Sequence, residues 1–564
     1  MRFHRGVAAA GVVLLLAGLA ACAPSLPATV VPDTKVTVGW PGALTSLNAA
    51  AAPTPGNLDI AAATRGTFGD TVDGSFVPDE GFGKASIVGD DPFTVRYDLA
   101  EPAWSDGIPL DAADLILGWA GASGYFAEDV DAETDADAAP VVSALDEFAR
   151  AIEVTFPEPT IAWQSAVTVS VPAHVVGQRA FGLDDAMEAK QAVIRAVQEE
   201  DAAALAEIAE VWNQEFAVAE KTDVAADLLL SSGPFQIDGS TLSADGRSVT
   251  LVPNPSYRGA AGPQVAQIEL VPPGDDPIAT LGEDLDVVQV APTSANRAAI
   301  SELERRDFPV QTTHDGGVWT VLLRPAGVFA QPAARSTFLR SIPAREVVEA
   351  AAGEWSSAYT ATTSVVAAPG SPAYDIVAED SGFATSLGAP SEEPALEREA
   401  AGVVAGTPVC VLYDRGSEFA AGAFAAMRDG LGAEGWNLTD CGSDDVDAAM
   451  GQGGWDAVIA RVPIPQTPEE FAAQWGGGSA ASLTGHADAN RDALIAQLAQ
   501  TVDVYEAREV LAQIESTIVG AAVARPLAVS PQVTVTDREV AGVTARNGSL
   551  APLLYGVAQW TAVP

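Results

Sequence analysis

The residues that most often do chemistry in proteins are few and widely spaced in this chain. Its four histidines are His4, His174, His314 and His486. The short motifs of serine hydrolases, zinc peptidases, phosphate-binding loops and dithiol redox sites do not occur in the sequence. Distant residues can still assemble into a catalytic triad, but scattered histidines are more often structural or exposed. We therefore predict that the protein is not an enzyme and that it uses no cofactor and no metal.

The first of the three cysteines marks a predicted lipid anchor. Residues 7–21 form an apolar run that is too short and too rich in small residues to span a bilayer comfortably. Leu-Ala-Ala precedes Cys22, an order similar to a bacterial lipobox, in which cleavage leaves the cysteine to be acylated. We predict a lipoprotein signal peptide over 1–21 and a lipid-anchored linker over 22–34. An ordinary signal peptide with a chance cysteine is the alternative.

The other two cysteines, Cys410 and Cys441, form an even pair. In an exported protein such a pair is more often bridged than metal-bound or nucleophilic, so we predict a disulfide between them. No second apolar run reaches bilayer length. We therefore expect the chain at the extracytoplasmic face of the cell membrane, held there by its lipid.

The charge balance limits the partners. The chain carries 29 Lys+Arg against 76 Asp+Glu, a formal net charge of -47. Nucleic-acid binding requires a basic face, and anionic headgroups would be repelled. We expect no nucleic-acid partner, and a membrane contact through the lipid anchor only.

The elements that must position any site are those of an α/β protein. With 564 residues, 48% of them hydrophobic, the chain should divide into more than one domain. Residues 407–461 give the clearest pattern: a strand over 409–413, a helix over 418–431 capped by Ser417, and further strands ending at 457–459. Such β-α-β-α-β order predicts parallel strands. Earlier in the chain, the sequence predicts a strand over 94–99, a turn over 104–107 and a helix that Asp111 caps.

Two stretches carry a resemblance to a known family. A strand at 97–99 and the residues W-S-D-G-I-P-L-D-A-A-D over 104–114 are similar to a strand followed by W-S-D-G-x-P-L-T-A-x-D. S-G-P-F over 232–235 and V-P-N-P-S-Y over 252–257 resemble the hairpin motifs G-P-[YF] and V-x-N-P-x-Y. The chain thus resembles the extracellular solute-binding proteins of ABC importers, in the peptide and nickel cluster called family 5.

The resemblance implies an α/β fold of the two-lobed periplasmic-binding-protein type II, in the class with an extra inserted third lobe, with mixed sheets and flanking helices. The ligand would be held between the two large lobes. The predicted boundaries are 35–57, 166–272 and 528–564 for lobe I, 58–165 for the inserted lobe II, and 273–527 for lobe III.

The function that the resemblance implies is capture of an oligopeptide, a dipeptide or a similar small polar solute by lobe closure. A ligand that contacts both lobes only when they are shut shifts the population toward the closed state, which an ABC permease can sense. We expect a monomer. The alternatives are a receptor or scaffold of the same fold without a permease, or an extracellular hydrolase; a neighbouring permease and ATPase gene pair would favour import.

One departure from the family concerns the ligand. Peptide-binding members follow the strand matching 457–461 with Gly-Trp and then an Asp that receives the peptide's amino terminus. Here residues 461–468 read R-V-P-I-P-Q-T-P. A peptide would therefore need another carboxylate, or the ligand is not a peptide.

Five residues are predicted to bind the ligand: Trp40, Trp319, Arg461, Trp475 and His486. Trp319 lies in the strand that faces ligand in the family, and a core position is the alternative. Arg461 ends a predicted parallel strand, where it could clamp a carboxylate, and a surface ion pair is the alternative. Trp475 is either a lid aromatic or a buried anchor. Trp40 is placed at the first loop, and His486 stands where the family often has Asn-x-x-Gly-Tyr.

Overall fold

The computed structural model of the chain describes residues 26–72, 74–126, 141–144, 149–218, 224–389, 391–548 and 552–564, with 141–144 described by their backbone alone. The predicted signal peptide and Cys22 lie outside these residues. Within the described ranges, no helix is both long and apolar enough to cross a bilayer.

Strands and helices alternate along the described part of the chain. The strands are β1 (Val31–Gly39), β2 (Gly69–Val72), β3 (Ser75–Pro78), β4 (Gly83–Asp90), β5 (Phe93–Leu99), β6 (Val141–Ala144), β7 (Ala151–Thr155), β8 (Phe235–Ile237), β9 (Val249–Pro253), β10 (Val265–Val271), β11 (Val287–Val290), β12 (Val310–Leu323), β13 (Pro408–Tyr413), β14 (Asn437–Asp440), β15 (Ala457–Pro463), β16 (Ala524–Thr536), β17 (Val540–Ala541) and β18 (Thr561–Ala562).

The α-helices are α1 (Pro55–Thr64), α2 (Ala112–Ala122), α3 (Ala173–Phe181), α4 (Ala186–Gln198), α5 (Ala202–Glu210), α6 (Arg297–Arg305), α7 (Pro332–Ser341), α8 (Ala344–Ala352), α9 (Tyr374–Asp380), α10 (Phe383–Ser386), α11 (Pro394–Ala400), α12 (Glu418–Gly432), α13 (Val446–Gln452), α14 (Pro468–Trp475), α15 (Ala489–Gln500) and α16 (Val504–Ala521).

One large mixed sheet organises the fold. Its ten strands lie in the order β14-β13-β15-β12-β16-β11-β1-β10-β9-β8. β1 runs parallel to β10 and β11, and β13 runs parallel to β14 and β15. The two long strands β12 and β16 are antiparallel to each other and join these two parallel groups.

The partners of β12 and β16 change along their length. Residues 310–314 of β12 pair with 531–535 of β16, and there the other edge of β16 pairs with β11. Beyond a register shift between His314 and Val318, β12 pairs with 524–529 of β16 on one edge and with β15 on the other. We call residues 314–317 the crossover turn. It divides a second half, residues 318–529, from the remaining first half.

A smaller sheet in the order β4-β5-β7-β6 belongs to the first half. Its apolar face, with Val95, Tyr97 and Ile152, shares one continuous core with the large sheet and with α2. Asp111 caps α2: its carboxylate accepts from the backbone N–H of Ala113, and Asp114 completes a capping box. The strand, turn and helix predicted around this segment are therefore confirmed.

The second half has its own cores on the two faces of its sheet. One face carries Val321, Leu323 and Phe424 with α8 and α12, and the other carries Leu322 and Ile514 with α15 and α16. A further cluster packs β11 and α6 beside β16. The three predicted lobe boundaries stay a prediction, and strand pairing puts the change of partner at the crossover turn.

The α/β unit predicted over 407–461 is present as β13-α12-β14-α13-β15. The hydroxyl of Ser417 accepts from the backbone N–H of Ala420 and caps α12, because the first N–H groups of a helix have no partner inside it. Cys410 and Cys441 form the predicted disulfide, with a Cα–Cα distance of 5.6 Å. The fold class is confirmed: a mixed α/β protein with a large mixed sheet and flanking helices.

Candidate functional site

Two signature stretches, residues 104–114 and 232–257, carry the family resemblance. The first of them is built around a buried carboxylate. Asp114 has no exposed surface, and one of its oxygens accepts from the indole N–H of Trp104 at 3.1 Å and from the backbone N–H of Ala173 at 2.9 Å. Its other oxygen accepts from the Lys190 ammonium at 3.0 Å and from the backbone of Asp111. Burial alone would lower the pKa of Lys190, but the two carboxylates outweigh it and raise that pKa. We call these groups the Asp114 network.

The two signature stretches contact each other. The Ser105 hydroxyl accepts from the backbone N–H of Ser231 at 3.1 Å, and its carbonyl accepts from the Ser256 hydroxyl at 3.2 Å. The Asp106 carboxylate lies 3.1 Å from the ring Nε2 of His174. These motifs therefore join elements of the first half, and their side chains are committed to partners within the protein.

The crossover turn holds an exposed ion pair. Arg461 of β15 donates from Nε to one carboxylate oxygen of Asp315 at 2.6 Å and from Nη2 to the Asp315 carbonyl at 3.1 Å. The second carboxylate oxygen accepts from the backbone N–H of Gly317 at 2.9 Å. The side chains remain accessible, at 38% for Arg461 and 25% for Asp315.

Gly317 lies beneath the Arg461 guanidinium. A Cβ added at 317 would stand 2.6 Å from Nε and 2.9 Å from Cζ of Arg461. Gly316 adopts a φ of 78°, in the left-handed region that favours glycine, and its carbonyl accepts from the backbone N–H of Ile464 at 2.8 Å. The two glycines thus allow β15 and its arginine to approach the turn closely.

An aromatic stack continues from the turn. Trp319 stacks on Phe419 at 4.8 Å, and Phe419 stacks on Tyr359 at 4.7 Å between ring centres. Burial, with the nearby carboxylates of Asp315 and Glu418, raises the pKa of Tyr359 to about 12. The indole nitrogen of Trp319 is buried and has no hydrogen-bond partner among the described residues. Phe419 is buried at the centre of the stack, and Trp319 and Tyr359 on either side of it are half-buried.

The two halves meet beside this stack. Glu418, at the start of α12, accepts from the backbone N–H and the hydroxyl of Ser294, both at 2.8 Å. The Trp355 indole donates to the Thr293 carbonyl at 2.8 Å, and the Arg297 guanidinium lies 4.6 Å from the centre of the Trp355 ring. We call this contact of residues 293–297 with the second half the seam.

A second contact between the halves lies near the end of α15. The backbone N–H of Ile161 donates to the Ala499 carbonyl at 2.9 Å, and the Gln500 amide donates to the Glu158 carboxylate. Ile161 also packs against the second-half core that contains α15 and α16. Residues 158–161 of the first half therefore touch the second half away from the crossover strands.

The five predicted ligand residues fall into two groups. Trp319 and Arg461 are cross-strand neighbours of β12 and β15, and both stand at the crossover turn. Trp40 is fully buried, and its indole donates to the Asp59 carboxylate at 2.8 Å. A ligand contact from Trp40 would therefore need its core packing to open.

Trp475 and His486 lie together in the second half. Trp475 is 1% exposed, and the buried Arg491 donates to the Trp475 carbonyl at 3.0 Å and to the His486 carbonyl at 3.4 Å. Burial, then the positive charges of Arg491 and Arg335, lowers the pKa of His486. The structure does not join these two residues to the crossover turn by any contact among the described residues, and their ligand role stays a prediction.

Sequence reasoning missed the partners of Trp319 and Arg461. Asp315, Tyr359 and Phe419 come from three separate segments, and only the fold brings them together. One local signal was readable: Asp-Gly-Gly before a Val-Trp strand predicts a tight turn, at which an acidic side chain bonds to the following backbone.

The described residues contain no cluster of His, Cys, Asp or Glu arranged to hold a metal ion. Two cavities open elsewhere on the surface. One of about 590 Å³ borders Asp106 and β8, and one of about 460 Å³ lies between Val328 and Val404 at the far end of the second half. Neither is lined by residues of the aromatic stack.

The chain has sequence relatives among mycobacterial lipoproteins. No protein-family model matches the chain. An uncharacterized lipoprotein of Mycobacterium bovis is 26% identical over 465 residues, which cover 78% of this chain and 77% of that protein.

Solved structures share the fold at low sequence identity. The periplasmic EDTA-binding protein EppA superimposes with a TM-score of 0.75 at 17% identity, covering 96% of this chain and 98% of that one. The ABC transporter substrate-binding protein CtaP of Listeria monocytogenes gives 0.69 at 16% identity, with 94% and 99% covered. The oligopeptide-binding protein AppA of Bacillus subtilis, solved with a nonapeptide, gives 0.62 at 13% identity, with 95% and 100% covered.

Proposed function

We propose that this chain is a lipid-anchored solute-binding protein of the family 5 type, which captures a peptide or a similar small polar solute for an ABC importer. One observation carries the proposal: two strands cross between two halves that each have their own core, and an accessible arginine and an aromatic stack stand at the crossing. The likeness in fold to an ABC transporter substrate-binding protein and to an oligopeptide-binding protein supports it.

The ligand site of this proposal is the space bounded by the crossover turn, the aromatic stack and the seam. Trp319 supplies an apolar face for stacking, and Arg461 supplies N–H donors that suit a carboxylate. Trp40, Trp475 and His486 complete the proposed set. A ligand touching both halves would stabilise the closed arrangement, since only there do its contacts with both form together.

A ligand screen tests the binding function. Peptide, amino-sugar and metal-chelate libraries should yield at least one compound that stabilises the protein against heat. At a concentration 100 times its dissociation constant, a ligand stabilises by about 2.7 kcal/mol. Small-angle scattering with the hit should show a radius of gyration no larger than that of the free protein.

Matched variants locate the site. Arg461→Ala and Trp319→Ala should each weaken binding of the hit at least tenfold. Arg305→Ala removes an exposed arginine on α6 that pairs with Glu302, and it should leave the affinity unchanged. If no library member stabilises the wild type, the binding function is wrong; equal affinities in all three variants would place the site elsewhere.

The anchor and the importer need separate experiments. Cys22→Ala should release the protein from the membrane into the medium, and continued membrane retention would contradict lipidation. The lipoprotein relatives support the anchor. For import, uptake of the hit should be lost when this chain is deleted and restored by the wild type, whereas normal uptake in the deletion strain would favour a receptor without a permease.

A further inference from the structure

The ion pair at the crossover turn is geometrically incomplete. The strongest arginine–carboxylate pairs place both carboxylate oxygens on two N–H groups of the guanidinium. Here a single carboxylate oxygen of Asp315 contacts Arg461, at Nε, and the second donor of Arg461 is taken by the Asp315 carbonyl. The other carboxylate oxygen is held by the Gly317 N–H. A free carboxylate could make the two-oxygen contact that Asp315 does not.

The Arg461–Asp315 pair is accessible to a carboxylate that would replace Asp315. Arg461 keeps 38% of its side chain exposed, so an incoming anion can reach it without moving the core. Gly317 leaves room for the guanidinium to lie flat over the turn, since a side chain there would collide with it. Trp319, the cross-strand neighbour of Arg461, offers an apolar wall on the same strands.

Displacing Asp315 would not leave its charge without partners. Its carboxylate would keep the hydrogen bond from the Gly317 N–H, which belongs to the local turn and does not involve Arg461. An exposed ion pair is worth at most about 1 kcal/mol, so exchange of one carboxylate for another costs little. The pair therefore has the energetics of an exchangeable contact.

We propose that Asp315 competes with the ligand for Arg461, so that a carboxylate group of the ligand must displace Asp315 from the arginine. This competition lowers the affinity of the site for carboxylate ligands. The inference rests on the proposed binding function and adds to it the displaced residue.

Acetate, the smallest carboxylate probe, tests the exchange directly. The Nε–H resonance of Arg461, identified by its loss in Arg461→Ala, is followed during titration with sodium acetate against sodium chloride at equal ionic strength. In Asp315→Asn the competing charge is gone while the shape is kept. We expect acetate to saturate the Arg461 signal at a concentration up to about fivefold lower than in the wild type, the change that an ion pair of this strength allows.

The control variant changes the same residue type elsewhere. Asp444→Asn removes an exposed carboxylate in the second half, and it should titrate like the wild type. Identical acetate curves for wild type and Asp315→Asn, or no response of Arg461 in Asp315→Asn, would overturn the proposal. The measurement needs no transported ligand, so a failed library screen would disprove the binding function without deciding this result.

Discussion

The Asp114 network and the Arg461–Asp315 pair are both ion pairs, yet they differ in burial and in how many donors each carboxylate oxygen accepts from. In the network, the side chains of Lys190 and Asp114 are 2% and 0% exposed, and both carboxylate oxygens of Asp114 have two donors each. The pair at the crossover turn is accessible, and each carboxylate oxygen of Asp315 accepts from a single donor there. The resemblance to a family was carried by the first region and not by the second.

The difference between the two ion pairs separates residues that build the fold from residues that remain available to bind a ligand. Residues that satisfy one another in the interior specify how the first half is built, and the polar groups of the Asp114 network are bonded to partners inside the protein. The crossover region keeps accessible groups and an unpartnered indole nitrogen within the described structure. A signature made of interior contacts can therefore be kept while the ligand changes, which agrees with the missing amino-terminal anchor at 461–468.

The largest effect is expected from Asp114→Ala. Removing this carboxylate leaves the buried Lys190 ammonium with one carboxylate partner instead of two. The Trp104 indole N–H also loses its hydrogen-bond acceptor. We expect a loss of about 3–5 kcal/mol in the free energy of unfolding, measured by urea denaturation. Asp98→Ala, in the exposed pair with Arg96 of the same strand β5, should cost less than about 1 kcal/mol. Equal losses would erase the contrast between interior and surface pairs.

The disulfide should stabilise the second half by an amount comparable to the effect of Asp114 in the first half. The disulfide closes a loop with a sequence separation of 31 between β13 and the end of β14. The double variant Cys410→Ser/Cys441→Ser should lose about 3–4 kcal/mol, since the unfolded chain regains the loop entropy. Denaturation of the wild type with and without reductant supplies the second measurement. An unchanged urea midpoint in both would show that this edge of the sheet does not limit stability.

Glu515 tests whether a buried acid in the second half acts like the Asp114 network. Burial raises its pKa to about 7, although the Ser364 hydroxyl and the backbone N–H groups of Val365 and Val366 favour the charged form. The folded state therefore holds the proton more tightly than the unfolded state. The resulting stabilisation is complete below about pH 4.5 and is lost as pH rises through 7, a change on the order of 3 kcal/mol.

The check is urea denaturation at several pH values between 4 and 8. Glu515→Gln should remove this part of the pH dependence, while it lowers stability overall because its amide group faces donors. Glu509→Gln, on the exposed face of the same helix, should leave the pH profile of the wild type. A Glu515→Gln profile that still declines from pH 4.5 to 7 by the same amount would assign the titration to another group.

The smallest effect on stability is expected from Arg461→Ala. An exposed pair contributes between about 0 and 1 kcal/mol, so the urea midpoint should barely move. Binding of a library hit should nevertheless weaken at least tenfold. A stability loss as large as that of Asp114→Ala would show that Arg461 is structural and that the two ion pairs do not differ in strength.

Local chemistry explains what the sequence could predict. Helix caps depend on a side chain and the backbone two or three residues later, so Asp111 and Ser417 were readable from their neighbours. The disulfide was readable from the count of cysteines and the export signal. The fold class followed from the alternation of strands and helices together with the two interior motifs.

The site depends on contacts that no local pattern encodes. Arg461 and Asp315 are separated by 146 residues, and Glu418 lies 124 residues from Ser294. The same limit applies to Trp40, whose position in the first loop gave no sign that Asp59 would hold its indole inside the core. Large aromatic residues near loops fit both a core and a cleft, and only the surrounding elements decide between them.

The crossing strands also have a consequence for how such a protein can be altered. Val318 and Val529, the first and last residues of the second half, are paired neighbours on β12 and β16. A segment whose two ends are adjacent can be removed or replaced as one unit without changing the connections of the rest of the chain. We expect that grafting 318–529 from a relative onto this protein would exchange most of the surface around Arg461 while the first half stays the same.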